Sequence, residues 1–507
     1  MVSLLLALLA CSPEETASDP VRVAGGWIHT DASLGGQRAG PDGRWFSRDE
    51  DGIPEGARPT QEPSCEPLFS VDLGDVEKHI ALGGSAPDTA MAFSDDGRFL
   101  GIGSFLGEVV VVDAWTGETL ARKKLSETMV KQVVWSPNGR TLFVAEQSPD
   151  GSVVALSVPS LDELWRVNLS DWIGHSPLPP GDIYGAYTLP SAYSLNRLDD
   201  GNLLVVGTHA WNNKQGTRLN QSIILKLTPE GEVAGQWPDE PIDGVFFRAR
   251  IAGNKALIPV SKSSGGPTDE RLPVGGALVF DLETFKPSAE IRIPPLAPHF
   301  TNTFLWEAID ISGDTIFLGL SDGRAGLWTA TGEQLQKLPS SEPLLAGEVP
   351  VVASIGSGVI HAGRSVYQTS TTHIPFGAAA PELRPPAAHP GENTLMVADR
   401  SGALIGSWRG PHRLQGLTLS PDRQHLVVGA GARKADGRRD LYGALVFDLG
   451  PENQPLSQPQ LSRFCRTTGP VFFRTAPLSD GRIATTEHPY RQGEDPAYGS
   501  YQVTVFR

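Results

Sequence analysis

Aromatic, histidine and arginine side chains gather in a few stretches of this chain: Trp172, His175 and Tyr187; His209, Trp211 and Arg218; His299; Arg438; and His488, Tyr490 and Arg491. These residue types dominate contact energy where proteins grip partners, through stacking and forked hydrogen bonding. Recognition chemistry is therefore expected of them as a group, since any one loop aromatic is more often just pinned to its own core. Bond-breaking chemistry leaves no such mark. There is no HExxH helix, no phosphate loop, no dinucleotide glycine fingerprint opening a helix and no strand-turn-helix nucleophile elbow. His209 and His488 each follow an apolar run, yet with no CxxC, CxxCH or Cys/His ligand set nearby neither a metal nor a cofactor is expected. Trp172 and Trp211 also suit sugar stacking, which keeps a carbohydrate-binding module open as a second alternative.

The elements that must position these residues are short. At positions 133 to 158 the chain reads VVWSPNGRTLFVAEQSPDGSVVALSV, in which apolar runs alternate with Pro-Asn-Gly and Pro-Asp-Gly turns. Such punctuation marks antiparallel strands joined by hairpins. The same tile returns as AMAFSDDGRFLGIGSFLGEVVVVDAWTGETL from Ala90, AIDISGDTIFLGLSDGRAGLWTATGEQL from Ala308 and LTLSPDRQHLVVGAG from Leu417, with looser copies near Tyr193, Val245, Val351 and Val471. Each tile supplies four strands, whose sheet cannot hide both faces alone. Stacking such sheets in a ring solves the burial problem, so the expected fold is all-β, a single β-propeller of seven or eight four-stranded blades. The echo of Gly244-Val245-Phe246-Phe247-Arg248 in Val471-Phe472-Phe473-Arg474, four tiles later, argues for eight, with those two segments facing each other.

The last tile holds only three strands before Arg507, and Pro67–Leu73 reads as the missing fourth, completing the last blade and closing the ring. With four strands per tile, the connections between strands two and three and those between blades emerge on one face. The long segments fall there: 171–192, 294–302 and 410–415 between blades, and 208–221, 261–274, 431–441 and 487–499 within them. Loops on a rigid scaffold are where binding residues concentrate.

Composition narrows the partners. The 507 residues carry 42 Lys plus Arg against 58 Asp plus Glu, a net charge of −16 that repels phosphate backbones, so no nucleic acid is expected. Residues 12–66 hold six Pro, eight Gly and eleven acidic residues against five basic ones, the composition of a flexible tether. Before it, MVSLLLALLAC is too short to span a bilayer and suits the apolar core of a signal peptide. The expected division is therefore 1–11 signal, 12–66 tether and 67–507 propeller.

Two resemblances add to this. Leu8-Leu9-Ala10-Cys11 resembles the lipobox of bacterial lipoprotein signals, which implies lipidation of Cys11, and Ser12 after it implies the outer membrane. Trp135-Ser136-Pro137-Asn138-Gly139-Arg140 and Phe93-Ser94-Asp95-Asp96-Gly97-Arg98 resemble bacterial WD-like repeats of the YVTN type, and Val112–Glu118 resembles the blade motif of quinoprotein-type propellers. Together they imply an envelope lipoprotein that acts as a protein-interaction scaffold with a protein partner in the envelope. Propellers of similar type also host lactonases, quinone-dependent dehydrogenases and glycan hydrolases at the channel mouth, the enzymatic alternative.

Cys65 and Cys465 remain as an even pair, which in an exported chain favours a bond. Placing Cys65 before the outer strand of the last blade and Cys465 before its inner strand would set them on opposite faces, which weighs against one.

Overall fold

The computed structural model describes residues 65–74, 89–177, 188–212, 218–261, 268–295, 308–340, 344–346, 349–373, 389, 391–410, 413–431, 442–455, 459–489 and 499–507. Expectations for residues 1–64, the Cys11 anchor among them, lie outside these.

Strand chemistry is plain in Glu108–Asp113, EVVVVD, whose β-branched residues all suit a pleated sheet. Successive side chains point to opposite faces of a strand. Val109 and Val111 accordingly enter one apolar cluster and Val110 and Val112 another. A strand buried on both sides belongs in the middle of a stack.

The described strands form antiparallel meanders, labelled here in order of their first strands. Meander I comprises Ala90–Phe93, Phe99–Gly103, Glu108–Asp113 and Thr119–Lys124. Meander II comprises Met129–Trp135, Thr141–Gln147, Ser152–Ser157 and Glu163–Asn168. Meander III runs through Ser191–Arg197, Leu203–Asn212, Arg218–Leu227 and Val233–Asp243, joined to II by the pairing of Ser191 with Gln147. Meander IV begins with Val245–Phe246 and Arg250–Ala252 and continues through Lys255–Ser261, Ala277–Asp281 and Lys286–Ile291. Ile309–Ser312, Thr315–Gly319, Ala325–Thr329 and Gln334–Leu338 make V. Val349–His361, Arg364–His373, Thr394–Ala398 and Leu404–Arg409 make VI, with Leu344–Ala346 added beside Val349–His361. Arg413–Leu419, His425–Gly431, Gly443–Asp448 and Gln460–Arg466 make VII. Meander VIII holds Val471–Pro477, Ile483–Glu487 and Gln502–Phe506, and its outer strand is Pro67–Asp72 from the other end of the chain.

The core lies between meanders, not within any one of them. Each hydrophobic cluster joins residues of two successive meanders: Trp135 and Val111 tie I to II, Phe143 and Val205 tie II to III, and Phe246 and Val206 tie III to IV. The series continues through Leu257 with Leu318, Phe317 with Tyr367, Val397 with Phe447, and Val446 with Phe506. It closes where Val71, Val503 and Val505 of VIII pack on Leu100, Ile102 and Val110 of I. A stack whose last member packs on its first is a ring, and the fold is of the β-propeller type. Each fully buried Val or Leu in these joints contributes about 1.5–3 kcal/mol.

The N-terminal strand closes the ring as expected, with Ser70 opposite Thr504 and Val71 opposite Val503. Its Phe69 ring lies against Gly117 in the third-to-fourth turn of I, where a β-carbon would stand 2.5 Å from the ring. Only glycine fits there, and its φ of +75° favours glycine as well.

The cysteines correct the expectation. Cys65 and Cys465 are bonded, with Cα atoms 4.8 Å apart. Cys465 does come before the inner strand of the last meander, but as the penultimate residue of the outer strand of VII, Gln460–Arg466. Its side chain turns into the joint with VIII, beside Ile483 and Phe506, where Cys65 also lies. The two therefore meet across neighbouring sheets and never had to span one.

Segment 208–221 also differs from its expectation as a loop. Thr208–Asn212 and Arg218–Gln221 continue the second and third strands of III, with Trp211 opposite Leu219 and Asn212 opposite Arg218. No breaker interrupts Thr208-His209-Ala210-Trp211, so the pairing runs on to the asparagines. Among the described residues no helix is long and apolar enough to cross a membrane.

Candidate functional site

The two faces of the ring differ in how their connections are built. On one, tight turns pair with each other: the N–H groups of Ala114, Val158, Leu282, Ala330 and Leu449 donate to the carbonyls of Arg98, Arg140, Asn254, Asp314 and Gln424. On the other, second-to-third loops meet the connections between meanders. Asp150, in such a loop of II, accepts from Ser170 and contacts His175 in the II–III connection. Glu487 accepts from the backbone N–H groups of Thr468 and Ser500, from the Thr468 hydroxyl and from Gln502 Nε2, tying the VII–VIII connection to the second-to-third loop of VIII. The first face is minimal and the second is elaborated.

Three of the predicted recognition residues come together on the elaborated face around a short helix, Ser170–Ile173, labelled α1. Trp172 is half-buried and its Nε1 donates to Gln236 Oε1 at 2.9 Å. His175 is exposed, with Nδ1 2.8 Å from Asp150 Oδ1, and that contact leads the effects that hold the Asp150 carboxyl below its ordinary range. His209 is 2% exposed; its Nδ1 lies 2.6 Å from the Ile173 carbonyl and its Nε2 2.8 Å from Ser176 Oγ. A carbonyl can only accept, so Nδ1 carries the proton and Nε2 accepts from the Ser176 hydroxyl. Burial pushes the His209 pKa down, which keeps the ring neutral and this arrangement intact near pH 7. The imidazole thus pins the α1 segment to III.

Trp211 and Arg218 sit at the end of the extended hairpin of III, on the same face. His488 is buried on VIII, its N–H donating to the Pro470 carbonyl and its ring stacked on Tyr501 at 5.8 Å. It and His209 belong to sheets that are not neighbours and make separate contacts. Among the described residues no group of three or more His, Cys, Asp or Glu lies placed to hold a metal ion. Cys11, Tyr187, His299, Arg438, Tyr490 and Arg491 lie outside the described residues.

A second assembly of polar groups lies on the innermost strands. The register of Met129–Trp135 skips Lys131, that of Ser191–Arg197 skips Tyr193, and that of Val471–Pro477 skips from Val471 to Thr475. Bulges of this kind re-aim a side chain out of the sheet alternation. Lys131, 4% exposed, sets its Nζ 4.1 Å from the Tyr193 ring centre and 3.1 Å from Gln147 Oε1. Gln132 donates to the Tyr193 carbonyl at 3.1 Å and accepts from Arg474 Nη2 at 3.4 Å, a contact between meanders II and VIII that passes over I. Arg250 of IV carries a lowered pKa, from burial first; the carboxylate of Asp310 of V opposes this, and the charge of Arg474 adds to it by less than Asp310 offsets. Asp310 itself accepts from the Ile360 N–H at 2.6 Å.

None of these axial residues stood out in the sequence as site residues. The available signal was two adjacent polar residues inside an apolar strand, Lys131-Gln132 in MVKQVVW, where strict alternation allows one. Conversely, Gly319-Leu320-Ser321-Asp322-Gly323 has the spacing of a nucleophile motif but turns between two strands of V, with Ser321 buried and Asp322 held by Arg324 at 2.6 Å. No helix follows it, so it is not an elbow.

No protein-family model matches the chain. No curated protein matches it either. Solved structures of similar shape include BamB from Moraxella catarrhalis, at 14% identity over 68% of this chain and 80% of that one, with a TM-score of 0.42. The C-terminal WD40 domain of Sif2 is 12% identical over 87% and 97% of the two chains, with a TM-score of 0.49. The computationally designed Ika8 protein is 14% identical over 83% and 97%, with a TM-score of 0.48. At these identities and scores no property of those proteins carries over to this chain.

Proposed function

We propose that this chain is an exported, lipid-anchored, eight-bladed β-propeller that serves as a protein-interaction scaffold in the cell envelope, held to the outer membrane through Cys11. Each of meanders I to VIII is one blade. The observation that carries the reading is the asymmetry of the disc: hairpin turns bonded to each other on one face, elaborated connections bearing Trp172, His175 and the hairpin of Trp211 and Arg218 on the other. Rigid sheets presenting aromatic and charged loops are the common design of a binding surface. The lipobox-like Leu8–Cys11 and the acidic, Gly- and Pro-rich residues 12–66 support an anchor and a tether that lets the disc stand off the membrane.

A photo-crosslinking amino acid placed at His175 should capture an envelope protein in cells, and one placed at Leu335 on the outer rim should not. Equal capture at both positions, or capture at Leu335 alone, contradicts the assignment of the binding face.

A further inference from the structure

Two side chains on the elaborated face are joined in the order that general-base catalysis requires. His209 Nδ1 donates to the Ile173 carbonyl at 2.6 Å, and Nε2 accepts the hydroxyl proton of Ser176 at 2.8 Å. The carbonyl fixes the tautomer, so the lone pair of Nε2 is the one aimed at the serine. Burial keeps the ring neutral, which a proton acceptor must be before it can act. The serine is fixed from a second side, since its backbone N–H donates to the Pro149 carbonyl in the second-to-third loop of II at 3.2 Å. Ser176 is half-buried and flanked by exposed His175 and Pro177, so the pair lies at the surface of the face and not inside a joint between blades.

We propose that Ser176 and His209 form a nucleophile and base pair that cleaves carboxylic esters by acyl transfer. Ser176 Oγ attacks the ester carbonyl carbon while His209 Nε2 takes its proton; the bond to the alcohol oxygen then breaks, and that oxygen leaves with the proton from His209. Water next attacks the acyl-serine and gives a proton to His209, and the acid departs as Ser176 Oγ recovers that proton. The N–H of Ser176 is committed and Pro177 has none, so the N–H of His175, which no described residue accepts, is the backbone donor at hand for the oxyanion. A carbonyl behind the imidazole holds the tautomer but brings no full negative charge to steady the imidazolium. That suits esters and not amides, whose leaving groups demand more of the acid. This activity does not depend on the partner-binding reading, and either stands if the other fails.

The full chain is treated with a fluorophosphonate probe and, in a second arm, with p-nitrophenyl acetate, and modified serines are located by peptide mass spectrometry. Ser176 should be phosphonylated about a hundredfold faster in the native chain than in the urea-unfolded one, and p-nitrophenol should appear as a burst of one equivalent. His209→Gln keeps a donor for the Ile173 carbonyl and an acceptor for Ser176, and should slow both reactions by about a hundredfold while the unfolding temperature stays near that of the native chain. An imidazole that only pins the α1 segment would give Ser176 no more reactivity in the native chain than in the unfolded one. That result overturns the proposal whether or not the variant folds, as does equal labelling of the native chain and a folded His209→Gln variant. Labelling without a p-nitrophenol burst overturns the assignment of esters as substrate.

Discussion

The guanidinium of Arg482, on the last meander, donates from Nη1 to the carbonyl of Ala114 on the first at 2.7 Å, across 368 residues of sequence. Its Nη2 reaches the Gly97 carbonyl at 2.8 Å and Asp480 Oδ2 at 2.8 Å, and its Cζ lies 3.7 Å from the Trp115 ring centre. The side chain is 2% exposed. Trp115, 52% exposed, is thereby explained as the lid of this joint.

Removing this arginine should open the seam. Arg482→Ala leaves two carbonyls of meander I without their donor and is expected to cost about 2–6 kcal/mol, because each buried acceptor left unsatisfied costs about 1–3 kcal/mol. Lys226→Ala, which breaks the partly exposed pair with Asp200 inside meander III, should cost about 0–1 kcal/mol. Urea unfolding of both variants checks the contrast, and similar midpoints would show that the seam does not depend on Arg482.

The bond between Cys65 and Cys465 fastens the closing strand to the neighbouring blade. Cys65→Ser with Cys465→Ser should lower stability by about 2–4 kcal/mol, the usual range for a native disulfide. Thiol titration of the denatured, unreduced chain should find neither of these cysteines free. Detection of both as thiols would contradict the pairing.

Acid should weaken the VI–VII joint through His361. His361 is 2% exposed, and burial, then the neighbouring Arg423, lowers its pKa. The unfolded chain therefore binds a proton near pH 6.5 that the folded chain refuses. The stability this residue contributes is full above pH 6.5 and lost as pH falls from there toward its folded pKa. Urea midpoints at pH 7.5 and 5.5 should differ less in His361→Gln than in the native chain, and an unchanged difference would rule the residue out as a source of acid sensitivity.

Glu487 organises one sector of the elaborated face. Its carboxylate is buried and accepts from four donors, so Glu487→Ala should cost about 2–4 kcal/mol and Glu487→Gln, which turns an amide N–H₂ toward those donors, nearly as much. Differential scanning calorimetry gives the sizes, and a neutral Glu487→Gln would mean the donors find other acceptors.

Strand order and ring closure were legible because each tile repeats one grammar of apolar run and glycine turn. The first strands begin at Ala90, Met129, Ser191, Val245, Ile309, Val349, Arg413 and Val471, within a few residues of where the repeats place them. The disulfide was misread because Cys465 was assigned to the segment leading into the last blade, while it lies in the strand that finishes the blade before it. Nor did loop composition tell that His209 would lie inside a strand under Ser176. The axial cluster was hidden for a different reason. Gln132, Tyr193 and Arg474 are scattered along the chain, and only the bulges and the closing of the ring bring them into contact.

Closure of the ring by the N-terminal strand is tested most directly by amide hydrogen exchange on the intact chain. A closed ring predicts that the N–H groups of Pro67–Asp72 that pair with Gln502–Phe506 are protected to the same degree as those of Gln502–Phe506 themselves, and lose that protection together with them in urea. Exchange of the 68–72 amides within seconds in native buffer, while 502–506 stays protected, would show an open ring and contradict the fold described.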